Sequence, residues 1–236
     1  IRALIGSAAV ADAVTRAVSG EYLRDPSLGS AEYGGNVLLV RDIVARYIDR
    51  CILPYDAAHP GFRIEGLEQS VTAQVSFCSG SETHTVTFAG TSDRLDRLTD
   101  GRVRVVDYKT GNKAFNLDEV YCGLNTQMLL YLFTLRSNAA QVYKNPVAAG
   151  VLYLAGDPVL KTGSRAEAAA APVYKVDGLV LNDELVVRGM DRDATGMFVP
   201  FAFGKDGAPR ASAKLASLEK LGNIEKHLDA LVVEMA

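Results

Sequence analysis

Gly101-Arg-Val-Arg-Val-Val-Asp107-Tyr108-Lys109-Thr110-Gly111 decides the reading of this chain, because an apolar strand there ends on a carboxylate and a lysine two residues apart. Side chains on a strand alternate between faces, so Asp107 and Lys109 share one. The segment before it, Gly90-Thr-Ser-Asp93-Arg94-Leu95-Asp96-Arg97-Leu98, reads as an antiparallel partner, and Thr99-Asp100-Gly101 suits a three-residue hairpin loop with glycine in the left-handed position. That register sets Leu98 against Arg102, Leu95 against Val105, Asp96 against Arg104 and Asp93 against Asp107. Two carboxylates and a lysine then meet on one face. Like charges directly across a sheet repel, and a shared cation is the simplest compensation. Hard oxygen donors in a small site suit Mg2+ or Mn2+, which polarise a phosphoryl oxygen and acidify a bound water. The chemistry indicated is metal-assisted phosphodiester hydrolysis. A surface hairpin whose charges are merely solvated is the competing reading.

Downstream, one helix is expected from Asn116 or Asp118 to Asn138, with either residue as N-cap and Glu119 in the first turn. Its apolar stripe is Tyr121, Leu124, Met128, Tyr131, Leu132 and Leu135. Gln127 and Tyr131 stand four apart, so they share a face and reach toward the end of the hairpin.

Taken together, Asp93-Arg94-Leu95-Asp96, Val105-Val106-Asp107-Tyr108-Lys109-Thr110-Gly111 and Gln127-Met-Leu-Leu-Tyr131 resemble the RecB-type branch of the PD-(D/E)xK nuclease superfamily. Asn116-Leu-Asp-Glu-Val-Tyr121-Cys-Gly123-Leu-Asn-Thr-Gln127, Gly150-Val-Leu-Tyr153 through Asp157-Pro158, and Gly178 through Met190-Asp191 are similar to the AddB (RexB) family, the B subunits of AddAB helicase-nucleases. The likeness runs from about Gly61 to the C-terminus; before that, agreement is in helical character alone.

The resemblance implies an α/β restriction-endonuclease-like mixed sheet flanked by helices, with a helical N-terminal segment. It implies a deoxyribonuclease, acting on DNA, most naturally single-stranded, delivered by an AddA-like helicase partner in double-strand break repair. Asp93 and Asp107 are the implied ligands of Mg2+ or Mn2+, with the Tyr108 carbonyl as a third, and Lys109 is the implied catalytic lysine, positioning and deprotonating the attacking water. Gln127 and Tyr131 are the implied positioning or DNA-contacting pair. Glu68, before the alternating Val71–Phe77 segment, matches an acidic position of the family. Two departures stand out. The family carries a histidine on an N-terminal helix, whereas His59, His84 and His227 lie off the first helices, and it holds an iron-sulfur cluster through cysteines whose spacing Cys51, Cys78 and Cys122 do not reproduce. A piece of a longer subunit is therefore expected. A nuclease fold retained only to bind DNA, and a scaffold within a helicase complex, are the alternatives.

Composition fits a globular core of this kind. At 236 residues and 48% hydrophobic content the chain can bury a sizeable interior, and no apolar run is long enough to span a membrane. Three scattered cysteines suggest buried free thiols in a reducing cytoplasm rather than a disulfide framework. A net charge of −3 excludes a strongly basic module, not a nuclease, because acidic metal sites lower the sum. The expected organisation is a helical segment over 1–65, a nuclease core over 66–160 and an extension over 161–236. Helices are expected over Ala3–Val18 and Val37–Leu53, with strands at Gln69–Phe77, His84–Phe88, Gly90–Leu98, Arg102–Lys109 and Val147–Leu154. The strand-helix-strand succession implies a crossover in a mixed sheet. The tract 161–172 reads as a short helix or a loop, and Gly178–Phe203 as edge strands or a small flap. Ser212–Met235 reads as a helix capped by Ser212, with Leu215, Leu218, Leu221, Ile224, Leu228, Leu231 and Val232 on one side.

Overall fold

The computed structural model describes residues 1–59, 61–109, 114–138, 148–156, 174–191, 198–208, 210 and 214–235. The chain divides into two compact units, one built on Ile1–Ala58 and the other on His59–Lys109, Lys113–Ala155 and Val176–Ala236.

The first unit is helical: α1 (Ala8–Ala17), α2 (Gly35–Tyr47) and α3 (Leu53–Ala58), with single π-helical turns at Val18–Tyr22 and Ile48–Ile52. The helix expected from Ala3 starts later, because Gly6 takes a left-handed φ of +70° that ends the first short turn. Val14, Val18 and Tyr33 form its core with Val10, Leu28, Val37 and Leu38 around them. Tyr33 Oη donates to the Thr15 carbonyl at 2.8 Å, so the buried phenol is satisfied.

The second unit carries a six-stranded sheet in sequential order: β1 (Phe62–Ser79), β2 (Glu82–Leu98), β3 (Val103–Lys109), β4 (Ala148–Gly156), β5 (Tyr174–Leu181) and β6 (Leu215–Ala216). The β1, β2 and β3 strands are antiparallel neighbours; β4 runs parallel to β3, and β6 parallel to β5. The mixed sheet and crossover are thus as expected. Val103, Val105 and Val106 on β3, with Val151, Leu152 and Leu154 on β4, are all buried, as strands covered on both faces require. At the β4–β5 seam a Cβ on Gly150 or Gly178 would collide with the facing carbonyl, of Leu179 or Val151 respectively. These glycines let the two backbones meet.

Several expectations are corrected. The helix after β3 is broken into α4 (Leu117–Tyr121) and α5 (Gln127–Asn138), because Gly123 (φ +79°) and Asn125 (φ +54°) adopt left-handed backbones that no helix continues through. Asn116 is the cap, accepting from the Asp118 amide at 2.9 Å. Tyr121 and Leu124, read as part of an apolar stripe, are 70% and 60% exposed, while Met128, Leu129, Leu132 and Phe133 of α5 are buried. The two strands expected over 84–98 are one, since Gly90 is not a break: a Cβ there would lie 2.6 Å from the Tyr131 ring, so the glycine makes room for α5. The β5 strand is interior rather than an edge, and it is followed by α6 (Glu184–Met190), capped by Asp183. Leu215 belongs to β6, and α7 (Leu218–Met235) is capped by Ser217, whose Oγ accepts from the Lys220 amide at 3.1 Å; Ser212 and the tract 161–172 lie outside the described residues. Cys51 is buried, but Cys78 and Cys122 are exposed.

Candidate active site

The β2–β3 pairing fixes the centre of the site. Leu95 lies across from Val105, Asp96 from Arg104 and Arg94 from Val106, and one step further brings Asp93 level with Asp107. The connecting turn has Gly101 at φ +88° and closes with the Leu98 amide donating to the Arg102 carbonyl at 2.8 Å. This is the register read from the sequence. Where the backbone ladder ends, the Tyr108 amide donates to Asp93 Oδ2 at 2.9 Å, which aims that carboxylate along the end of the sheet. On the same face, Lys109 Nζ lies 2.6 Å from Asp107 Oδ2. The Asp107 carboxylate is buried, whereas the lysine is one-third exposed at 33%.

Neighbouring strands extend this charged row. Tyr153 on β4 is the register partner of Asp107, and its ring centroid is 6.0 Å from Lys109 Nζ. Burial, then the negative charges of Asp107 and Asp177, push the Tyr153 phenol up to about 12, so it stays protonated beside both carboxylates. Asp177 on β5 is buried, accepts from the Phe115 and Gly178 amides at 3.2 and 2.8 Å, and pairs with Lys214 at 2.9 Å. The Lys214 ammonium also donates to the Phe115 carbonyl. Sequence reasoning assigned no role to Tyr153, Asp177 or Lys214. Tyr153 was within reach, since the strand after a crossover helix lies parallel to β3 and brings one polar residue level with Asp107.

Gln127 and Tyr131 do share a face, with Gln127 Nε2 donating to Tyr131 Oη at 2.8 Å. Their described contacts run to each other and, through the Tyr131 ring, to Gly90, three residues before Asp93, rather than to the carboxylates. Glu68 sits between the Leu67/Arg94 and Gln69/Ser92 pairs, level with Asp93, but is exposed and has an unusual φ of +47°. His59 is on the opposite face. Its Nδ1 accepts from Arg104 Nη1 at 2.8 Å and its Nε2–H donates to the Phe198 carbonyl at 2.9 Å, a tautomer forced by an arginine that only donates and a carbonyl that only accepts. Burial first, and then the Arg104 charge, hold its pKa well below the usual histidine range.

Among the described residues, no three His, Cys, Asp or Glu side chains gather into a metal cage. Mg2+ does not need one, because it is usually held by one or two carboxylates and completes its shell with water and phosphate oxygens. Asp93 and Asp107 offer such a hard-oxygen pair. The three cysteines, free and on separate elements, do not build a cluster site among these residues.

A family model described as the PD-(D/E)XK nuclease superfamily matches residues 2–231. Among curated proteins, the chain is 31% identical over 202 residues to the B subunit of an ATP-dependent helicase/deoxyribonuclease of Acetivibrio thermocellus, covering 80% of this chain and 17% of that protein. Proteins of the same name from Clostridium tetani (30% over 206 residues, 82% of this chain, 18% of the relative) and Clostridium acetobutylicum (35% over 173 residues, 68% and 15%) are also similar. The chain therefore spans 15 to 18% of the length of these relatives.

Proposed function

This chain belongs to the PD-(D/E)XK nuclease superfamily, and from that premise we propose that it hydrolyses phosphodiester bonds in DNA, single-stranded DNA by preference, as the nuclease domain of a helicase-nuclease B subunit. The reading is carried by one observation: Asp93, Asp107 and Lys109 converge on one face at the end of β2 and β3. The names of the relatives support a helicase partner, and we assign the complex a cytoplasmic role in DNA break repair as part of the same proposal.

Asp93 and Asp107 would hold a divalent cation such as Mg2+, with the Tyr108 carbonyl as a further oxygen donor. When bound, such an ion neutralises charge on the phosphate and the leaving oxygen. The chain's own groups do the rest. The Tyr108 amide keeps one Asp93 oxygen occupied, so the other is the one that would take a cation. Asp107 draws the Lys109 ammonium into place, where Nζ would hold the attacking water and a non-bridging phosphate oxygen in line. The ammonium has no lone pair to take the water's proton, so that proton would pass to a phosphate oxygen or to solvent, and the leaving oxygen would take one from solvent. The protonated Tyr153 hydroxyl lies beside Asp107 as a donor that cannot add negative charge to the site. Gln127 and Tyr131, bonded to each other next to β2, would bear on the DNA strand rather than on the reacting atoms.

The test is digestion of labelled single-stranded DNA with Mg2+ or Mn2+, the melting temperature being followed in parallel. Lys109→Ala and Asp107→Ala should each cut cleavage by on the order of a hundredfold or more, the scale of losing one electrostatic group at the reacting phosphate. Full activity in a folded Lys109→Ala protein would place the chemistry elsewhere. Tight DNA binding without any cleavage by the unaltered chain would favour the binding-module reading.

A further inference from the structure

The carboxylate of Asp93 is aimed by a backbone amide, and that amide belongs to a residue whose side chain is gripped on the other face of the sheet. Tyr108 stands between Asp107 and Lys109, so alternation sends its ring away from them. There its Oη accepts from Arg94 Nη1 at 3.1 Å. Arg94 has little freedom. Its Nε and Nη2 donate to the two oxygens of Asp96 at 2.7 and 3.2 Å, and the Phe62 ring centroid lies 5.1 Å from the guanidinium. Asp96 is held in turn by Arg104 Nε at 2.8 Å, the Arg104 guanidinium lies 4.9 Å from the same Phe62 centroid, and its Nη1 is fixed by His59 at 2.8 Å. A continuous chain of bonds runs from a rigid buried cluster, through the Tyr108 side chain, to the amide that orients Asp93.

We propose that Arg94 and Tyr108 are positioning residues for the cation site: Arg94, acting through the Tyr108 hydroxyl, holds the Tyr108 amide on Asp93 and so sets where that carboxylate points. The proposal rests on the reading that Asp93 and Asp107 hold a divalent cation. Partners that orient a metal-ligating group through a hydrogen bond typically matter by ten- to a hundredfold in metal affinity. A bond across the sheet that merely stabilised the fold would not act on the cation.

The decisive variant is Tyr108→Phe, which removes one oxygen and keeps the ring, the strand and the Arg94–Asp96 pair. Calorimetry with Mn2+ alone should show a dissociation constant weakened by roughly tenfold, and raising Mn2+ should restore DNA cleavage while the KM for DNA stays unchanged. Hydrogen exchange at the residue 108 amide, measured without metal, should become faster. Arg94→Lys, which keeps the charge but loses the fork, should show the same weakened affinity to the extent that it folds. A Tyr108→Phe protein that melts lower yet binds Mn2+ as the unaltered protein does, with unchanged exchange at residue 108, overturns the positioning role alone. An unaltered protein that takes up no Mn2+ overturns the site reading and this inference with it.

Discussion

Alternate residues of β2 and β3 carry charge to both faces of one sheet, and the two faces handle it in opposite ways. On the side of His59, Asp96 and Arg104 are 0% exposed, and each is met by an opposite charge: Asp96 by Arg94 and Arg104 at 2.7 and 2.8 Å. On the other side, Asp93 and Asp107 bring two like charges level with each other, and the Lys109 that compensates them is one-third exposed. Charges buried with opposite charges hold a fold together. Like charges gathered at the end of a sheet, with a partly exposed ammonium among them, destabilise it slightly, which is the cost expected of a ligand site. The difference predicts that mutations on the two faces separate stability from activity.

The sharpest way to break that division is Asp96→Ala. Both arginines would lose the carboxylate they share in the interior, and removing one member of a buried charge network costs about 3 to 5 kcal/mol. That is a large fraction of the stability of a domain this size. Urea titration should show a collapse of the midpoint or no soluble protein. Asp107→Ala, on the other face, should cost less than Asp96→Ala, since its lysine partner is one-third exposed and lost repulsion from Asp93 offsets part of the lost pair. If Asp96→Ala melts normally, the buried cluster is not what holds the hairpin.

A smaller effect, visible as a pH dependence, sharpens the same contrast. His59 is neutral when folded because burial and the adjacent Arg104 and Arg94 depress its pKa. In the unfolded chain it takes a proton below about pH 6.5. The stability it contributes is therefore complete above that value and falls as the solution is acidified, by up to about 1.4 kcal/mol per pH unit. The carboxylates with lowered values, Asp183 beside Arg102, Glu65 beside Arg63 and Arg97, and Asp25 bonded by Ser27, lose their contribution only at lower pH, nearer the ordinary carboxylate range. Melting curves between pH 7.5 and about 5 should thus decline in the unaltered protein and flatten in His59→Gln, which starts lower. Parallel curves would mean that His59 is not the group being titrated.

How much of this could be read in the sequence follows from which interactions are local. Alternation along Gly90–Leu98 and Arg102–Lys109, with one glycine turn between, fixed which residues face each other, because a two-stranded register depends only on its turn. The break between α4 and α5 was not legible: Gly123 and Asn125 can sit in a helix, and nothing in the local pattern says that they will turn left-handed. Gly90 looked like a strand end because its reason is non-local, the Tyr131 ring arriving from α5. The partners on β4 and β5, Tyr153 and Asp177, and the rear cluster of Arg94, Asp96, Arg104 and His59 depend on contacts across many residues. A pattern of Arg-x-Asp facing Arg on the second strand was present, but charge on an apolar strand reads as solvated until both sides are known to be covered.

Glu68 tests the finest point of the comparison, whether strain on β1 serves the exposed face. It lies level with Asp93 with its backbone at φ +47°, a conformation that costs a non-glycine residue about 1 to 2 kcal/mol. Its side chain is exposed, so packing gives no reason for the strain. Glu68→Gly removes the steric cost but enlarges the entropy of the unfolded chain by about 0.5 to 1 kcal/mol. The net expectation is a rise in stability of a few tenths to about 1 kcal/mol, read as a slightly higher melting temperature. Glu68→Gln keeps the backbone cost and removes only the charge. If the strained backbone exists to hold an acidic group near Asp93, both variants should lower cleavage while only the glycine variant melts higher. If the backbone is simply a local kink that lets β1 follow the twist of β2, cleavage should be untouched by either. A glycine variant that melts lower would show that the left-handed turn at Glu68 is not strained, and would remove β1 from the account of the site.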